Sequence, residues 1–255
     1  MTPPPHIPQR YFGIIGRPLG HSFSAQFFND KFRSEQIDAR YLKFELPDIG
    51  DLMEVLAEYP RLAGFNVTIP YKQDVMAYLD ETAPEAAAIG AVNVVKVTQT
   101  PDGPFLTGHN TDVIGFCRSI SPLLAGRSKA LVLGTGGASK AVVYGLRSLG
   151  VEPVLVSRTP SEGMLGYSDL TPEVMAAHTV IVNATPVGTY PDVDACPPIP
   201  YDLLTPAHLC YDLVYNPEKT LFLSKAEARG AVIKNGLEML HIQAVEAWRI
   251  WNDSH

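Results

Sequence analysis

Short apolar runs rich in β-branched residues recur along the chain, and between them apolar positions return every three or four residues. The first pattern predicts strands, the second amphipathic helices. In the first half, strands are expected over residues 11–15, 40–46 and 63–69, with helices over 24–35, 48–59 and 72–80. A short helix over 84–89 precedes two runs, 91–98 and 104–109, which flank Gln99-Thr100-Pro101-Asp102-Gly103 and read as a hairpin. Asn110-Thr111-Asp112 carries helix-capping chemistry for a helix reaching about Leu124. A second series follows. It has strands over 130–133, 153–156, 179–182, 209–213 and 231–234, a helix over 140–149, and one closing helix over 238–251.

Such alternation implies an α/β protein with mostly parallel sheets covered by helices. The 255 residues, 46% of them hydrophobic, suffice for two cores. The expected architecture is therefore two α/β domains with a ligand cleft between them. A net charge of −7, spread without runs, argues against nucleic acid or an anionic membrane as partner. No stretch approaches the ~20 apolar residues of a membrane span, and the proline-rich first residues lack a signal-peptide core. Cys117, Cys196 and Cys210 have no metal-like spacing and read as reduced packing residues. The chain is expected to be cytoplasmic, metal-free and directed at small molecules; monomer and homodimer both stay open.

One segment changes this picture. Leu131-Val132-Leu133-Gly134-Thr135-Gly136-Gly137-Ala138-Ser139-Lys140 is a strand that breaks into glycines and opens a helix. Glycines there let the backbone approach a pyrophosphate, and the helix N-terminus supplies N–H groups and positive dipole. Ser139 stands where a third glycine is usual. The next strand ends in Ser157-Arg158-Thr159, where NAD sites usually place a carboxylate for the ribose 2′-hydroxyl. A guanidinium and two hydroxyls favour a 2′-phosphate instead. The segment reads as an NADP site.

Catalytic candidates are less marked. In Asn66-Val67-Thr68-Ile69-Pro70-Tyr71-Lys72 a strand ends at a proline and Lys72 enters the first turn of the expected helix. That end of a helix disfavours positive charge and so eases proton exchange; a surface lysine is the plainer reading. Asp112 in a first turn is a common stabilising feature. Ser22 and Ser24 offer two hydroxyls to a carboxylate, or act as helix caps. Gln243 presents a neutral amide from an otherwise apolar face.

Taken together these segments resemble the shikimate dehydrogenase family over nearly the whole chain. Gly20-His21-Ser22-Phe23-Ser24 resembles its substrate serine motif, and Asn66 to Lys72 its catalytic-lysine motif. Ile89-Gly90-Ala91-Val92-Asn93 and Gly108-His109-Asn110-Thr111-Asp112 resemble the motifs of a substrate asparagine and the catalytic aspartate. Gly134 to Ser139 and Ser157-Arg158-Thr159 match the NADP motifs. Asn183-Ala184-Thr185-Pro186-Val187-Gly188, Tyr211-Asp212-Leu213-Val214-Tyr215-Asn216-Pro217 and Gly236-Leu237-Glu238-Met239-Leu240 with Gln243 complete the set. Ala25, Val94, Ser157 and Glu162 depart from the usual pattern. Glu162 lies where some members carry a second basic residue for the 2′-phosphate, which leaves Arg158 as the main discriminator.

The resemblance implies reversible NADPH-dependent reduction of 3-dehydroshikimate to shikimate, on the route to chorismate and aromatic amino acids. It implies a substrate domain of residues 1–114 with 238–255 and a Rossmann-like, doubly wound NADP domain of 115–237. Lys72 and Asp112 would be catalytic, with Lys72 either the proton donor or a stabiliser of charge. Ser22, Ser24, Thr68, Asn93, Tyr215 and Gln243 would bind substrate. Gly134, Gly136, Gly137, Ala138, Ser157, Arg158, Thr159, Asn183, Thr185 and Gly236 would line the cofactor site. A quinate/shikimate enzyme and a non-catalytic NADPH-binding module are the alternatives.

Overall fold

The computed structural model describes residues 7–20 and 23–253. The chain divides into two compact units. One runs to Thr111 and resumes at Ala244; the other is Asp112–Gln243.

The first unit is built on β1 (Arg10–Gly16), α1 (Phe23–Ser34), β2 (Ala39–Glu45), α2 (Leu52–Glu58), β3 (Leu62–Val67), β4 (Glu81–Thr82), α3 (Pro84–Ile89), β5 (Val94–Thr100) and β6 (Gly103–His109). Its six strands lie in the order β2-β1-β3-β5-β6-β4. β1 pairs parallel with β2 and β3, while β5 pairs antiparallel with both β3 and β6. The expected hairpin therefore supplies the strand that runs against the others. Its turn is tighter than the sequence suggested, with Thr100 opposite Gly103.

The expected helix over 72–80 is not formed. A 3-10 helix, Asp74–Tyr78, takes its place, and Lys72 sits in the turn before it. The cause is a competing hydrogen bond: the Lys72 carbonyl accepts from Val92 N at 2.7 Å, and Met76 N turns to Gln73 O. Lys72 therefore does not enter the first turn of an α-helix.

The second unit comprises α4 (Asp112–Ile120), β7 (Lys129–Leu133), α5 (Gly137–Ser148), β8 (Glu152–Ser157), β9 (Leu165–Gly166), α6 (Pro172–Ala177), β10 (Val180–Asn183), β11 (Leu209–Asp212), α7 (Leu221–Glu227) and β12 (Val232–Lys234). Its strand order is β12-β11-β10-β7-β8-β9, parallel throughout. Numbered within the unit this is the 3-2-1-4-5-6 order of the doubly wound dinucleotide fold. β7 and β10 are central and buried on both faces, which is why their sequences are continuous apolar runs. α4 stops at Ile120 because Pro122 has no N–H to continue it, and a short 3-10 turn, Ser121–Leu123, follows. β4, β9, α6 and α7 were not anticipated.

α8 (Leu237–Asn252) closes the chain. Its first turns belong to the second unit, where Gly115 of α4 passes so close to Met239 that a Cβ would lie 2.6 Å from the Met239 carbonyl. Its last turns belong to the first. There Trp251 fills the space over Gly64, donates from Nε1 to Val95 O at 3.0 Å, and packs with Phe12 and Phe28.

Candidate active site

In the first unit the chain reversal after β3 gathers three of the expected site residues. Thr68 N donates to Ile15 O and Arg17 N to Ile69 O, so the exits of β1 and β3 are tied together. Gly16 has no side chain because Thr68 and Ile69 occupy that space. Tyr71, buried, donates from its hydroxyl to Leu46 O at 2.7 Å and fixes the turn. The Lys72 carbonyl accepts from Val92 N, and the Asn93 carbonyl accepts from Val67 N at 2.8 Å. Thr68, Lys72 and Asn93 are thus held by backbone bonds at the β3–β5 junction. Thr68 and Lys72 are half-buried.

Asn93 is buried at 3% exposure. Its amide oxygen accepts from Thr111 N at 2.7 Å, and its Nδ2 donates to Thr111 Oγ1 at 3.0 Å. Asn110, beside it, donates to Ala91 O. Ser24 lies inside the first turn of α1 rather than capping it, and is buried. Ser22 falls outside the described residues. His109 is half-buried, and its pKa is lowered first by desolvation and then by the charge of Lys96.

In the second unit, Asp112 is the first residue of α4 and is 6% exposed. Gln243 is buried on α8, where Nε2 donates to Leu240 O at 3.0 Å. Tyr215 follows β11, half-buried, its pKa raised by desolvation.

The glycine-rich turn leaves β7 through Gly134, whose φ of +104° only glycine adopts without strain. A Cβ there would lie 2.8 Å from Thr185 Cγ2, so Thr185 packs directly on the turn. α5 begins at Gly137, three residues before the expected start. Gly136 is its N-cap, with no side chain capping the helix and no acidic residue in its first turn. A Cβ on Gly136 would meet nothing within 4 Å. Ser139 turns its hydroxyl back onto Gly136 O at 2.6 Å and is itself buried, so it does not obstruct that end. An uncapped N-terminus with open space before it suits a phosphate group. At the end of β8 the Ser157 hydroxyl accepts from Thr159 N at 3.2 Å, forming a small turn that presents exposed Arg158 beside Tyr167. These residues fit a phosphorylated dinucleotide.

One buried residue escaped sequence reasoning. Asp212, wholly buried at the end of β11, accepts from Asn183 Nδ2 at 2.9 Å, Val214 N at 3.0 Å and Thr220 Oγ1 at 2.6 Å. Asn183 Oδ1 in turn accepts from Thr185 N and Oγ1. This chain fixes the loops after β10 and β11, and through Thr185 the glycine turn. Desolvation pushes the Asp212 pKa up to about 6 against those three hydrogen bonds. A carboxylate closing an apolar strand, as in Leu209-Cys210-Tyr211-Asp212, was the available signal. Gly236 also has a local reason: a Cβ would strike the Leu213 carbonyl.

Among the described residues there is no group of three or more His, Cys, Asp or Glu that could hold a metal ion, and no helix long and apolar enough to cross a membrane.

Residues 14–95 match the model of the shikimate dehydrogenase substrate binding domain. The chain is 35% identical to shikimate dehydrogenase (NADP(+)) of Caldicellulosiruptor saccharolyticus, over 94% of this chain and 91% of that protein. The Thermus thermophilus shikimate 5-dehydrogenase, solved with NADP(H) and shikimate, superposes with a TM-score of 0.82 at 34% identity, covering 95% of this chain and 93% of the other. A quinate dehydrogenase from Corynebacterium glutamicum, solved with NAD, also has a TM-score of 0.82, at 28% identity, covering 96% of this chain and 94% of the other.

Proposed function

This chain belongs to the shikimate dehydrogenase family, and from that premise we propose how its residues share the reaction. The reaction is the reversible, NADPH-dependent reduction of 3-dehydroshikimate to shikimate, an oxidoreductase step toward chorismate and the aromatic amino acids. NADPH, when bound, supplies the hydride that reduces the ketone carbon.

Negative charge then grows on the ketone oxygen, and a cation or acid at that oxygen lowers the barrier more than it stabilises the ground state. Lys72 supplies both the charge and the proton. Asp112 is the second catalytic residue and binds a ring hydroxyl. Ser22 and Ser24 take the substrate carboxylate, while Thr68, Asn93, Tyr215 and Gln243 bind around its hydroxyls and carboxylate. Residues 1–114 with 238–255 carry the substrate role and 115–237 the cofactor role. Within the latter, the N-terminus of α5 takes the pyrophosphate, Arg158 with Ser157 and Thr159 takes the 2′-phosphate, and Asn183, Thr185 and Gly236 shape the remaining wall. The setting is cytoplasmic, with no nucleic-acid partner.

The observation that carries this reading is the backbone-locked group of Thr68, Lys72 and Asn93 at the β3–β5 junction. The likeness to a quinate dehydrogenase raises a second reading, quinate oxidation with NAD. Arg158 at the end of β8 opposes it, since that position favours a 2′-phosphate. Growth of NAD(P)H absorbance with shikimate or quinate, each with NADP or NAD, decides between them. Rapid reduction of NADP by shikimate is expected; a similar rate with quinate and NAD overturns the assignment.

A further inference from the structure

The carboxyl ends of β7, β10 and β11 lie in register, with Leu133 opposite Asn183 and Asn183 opposite Asp212. The glycine turn leaves from the first of these ends, and ligands of an open parallel sheet gather there. Asn183 and Asp212 are each 0% exposed, so their side chains do not themselves meet a ligand. A buried carboxyl is costly where an apolar side chain would pack, and its presence asks for a reason. The hydrogen bonds around it supply one.

Asn183 Nδ2 donates to Asp212 Oδ1 at 2.9 Å and to Val187 O at 3.3 Å. Its Oδ1 accepts from Thr185 N at 3.1 Å and from Thr185 Oγ1 at 2.6 Å. An asparagine amide has two N–H groups and two lone pairs, and all four are taken inside the protein. The amide cannot be reversed. A backbone N–H only donates, which requires oxygen facing Thr185, and an ionised carboxylate only accepts, which requires nitrogen facing Asp212. The carboxylate is fixed in turn by Val214 N at 3.0 Å and Thr220 Oγ1 at 2.6 Å. Thr185 is thereby committed as well: its hydroxyl proton goes to Asn183, and Oγ1 accepts from Val187 N at 3.3 Å. With the oxygen turned that way, the methyl Cγ2 is the atom set against Gly134, 2.8 Å from where a Cβ would stand.

We propose that Asp212 is a positioning residue of the cofactor site: through Asn183 it sets the rotamer of Thr185, whose methyl shapes the glycine turn that receives the cofactor phosphate. This rests on the reading of Thr185 and of that turn given above. The turn is then ordered before the cofactor arrives, and binding does not have to order it. Asp212 and Asn183 touch neither cofactor nor substrate in this role, so Asn183 supports the cofactor wall from behind.

The test is a double-substitution cycle on the full chain with Asp212→Ala, Thr185→Ala and both, reading the NADP dissociation constant and the urea midpoint. Asp212→Ala is expected to weaken NADP roughly tenfold. In the Thr185→Ala background the same change is expected to add less than about twofold. Asp212→Asn keeps the Oδ1 acceptor, so it is expected to bind NADP within about twofold of the parent. An equal loss in both backgrounds overturns the proposal, as does a lowered urea midpoint with NADP affinity unchanged. Asp212→Asn binding as poorly as Asp212→Ala also overturns it. If Asp212→Ala does not fold, Asn183→Ala takes its place in the cycle with the same expected and overturning results, since it removes the link and leaves the carboxylate its other two donors. Should Thr185→Ala itself leave NADP affinity intact, the reading of Thr185 fails and the proposal falls with it. Should Thr185→Ala weaken NADP while Asp212→Ala does not, the proposal alone fails.

Discussion

Each unit buries a chain of polar side chains across its sheet, and the two chains differ in kind. In the first unit Tyr41, Asn66, Asn93 and Thr111 are linked through neutral donors and acceptors. In the second, Asn183, Thr185 and Thr220 gather around a carboxylate, Asp212. A neutral chain gives fixed geometry that does not change with pH. A chain centred on a buried acid gives geometry whose strength depends on a proton. The difference teaches where the molecule is sensitive: the first unit's polar chain is set by the direction of its hydrogen bonds, the second unit's by ionisation.

The largest effect should come from breaking the division of labour in the first unit. Lys72→Ala is expected to lower turnover by at least ~100-fold, on the scale of general acid catalysis, while NADPH titration gives an unchanged dissociation constant. Near-normal turnover would remove Lys72 from the mechanism. Next comes the carboxylate. A carboxyl whose folded pKa is raised contributes stability that is fully present below its unfolded value and is lost as pH rises through the folded one. For Asp212 that window runs from 3.8 to about 6. Urea unfolding should therefore show the parent gaining on Asp212→Asn as pH falls through that window, by on the order of 1–3 kcal/mol. A constant gap across it would mean that Asp212 does not ionise there.

Arg158→Ala probes the cofactor side alone. The Michaelis constant for NADP should rise roughly tenfold or more, the worth of a charge-assisted hydrogen bond, with that for NAD little changed. Equal losses for both would end the argument for a 2′-phosphate contact. The smallest and sharpest change is Gly136→Ala. Its backbone is extended and a Cβ there meets open space, so stability should shift by about 0.5 kcal/mol or less. NADP affinity should nonetheless fall several-fold if a phosphate approaches that backbone. An unchanged affinity would place the phosphate elsewhere.

Much of the fold was legible because its strands are apolar runs punctuated by glycine and proline. The helix Pro84–Ile89 and the hairpin of β5 and β6 are the clearest cases. What was not legible depended on partners distant in sequence. Lys72 looked helical because nothing near it reveals that its carbonyl is taken by Val92 N. α5 began early because glycine reads as loop, although here it forms a helix start. In the site, Thr68, Lys72 and Asn93 were readable from their motifs. The buried bond of Tyr41 to Asn66 was not, since a tyrosine in a strand usually signals packing.

The split of α8 between the units has a consequence for how the polypeptide matures. The second unit, Asp112–Gln243, is one uninterrupted stretch, complete once its last residue leaves the ribosome. The first unit begins earlier in the chain yet lacks Trp251, the plug over Gly64, until the whole second unit has been made. Translation runs from the amino end, and domains commonly fold in that order; here the order of completion is inverted. Until Trp251 is added, the earlier-made sheet waits with its aromatic face open, and a nascent chain stalled near residue 243 would carry a finished second unit and an unfinished first.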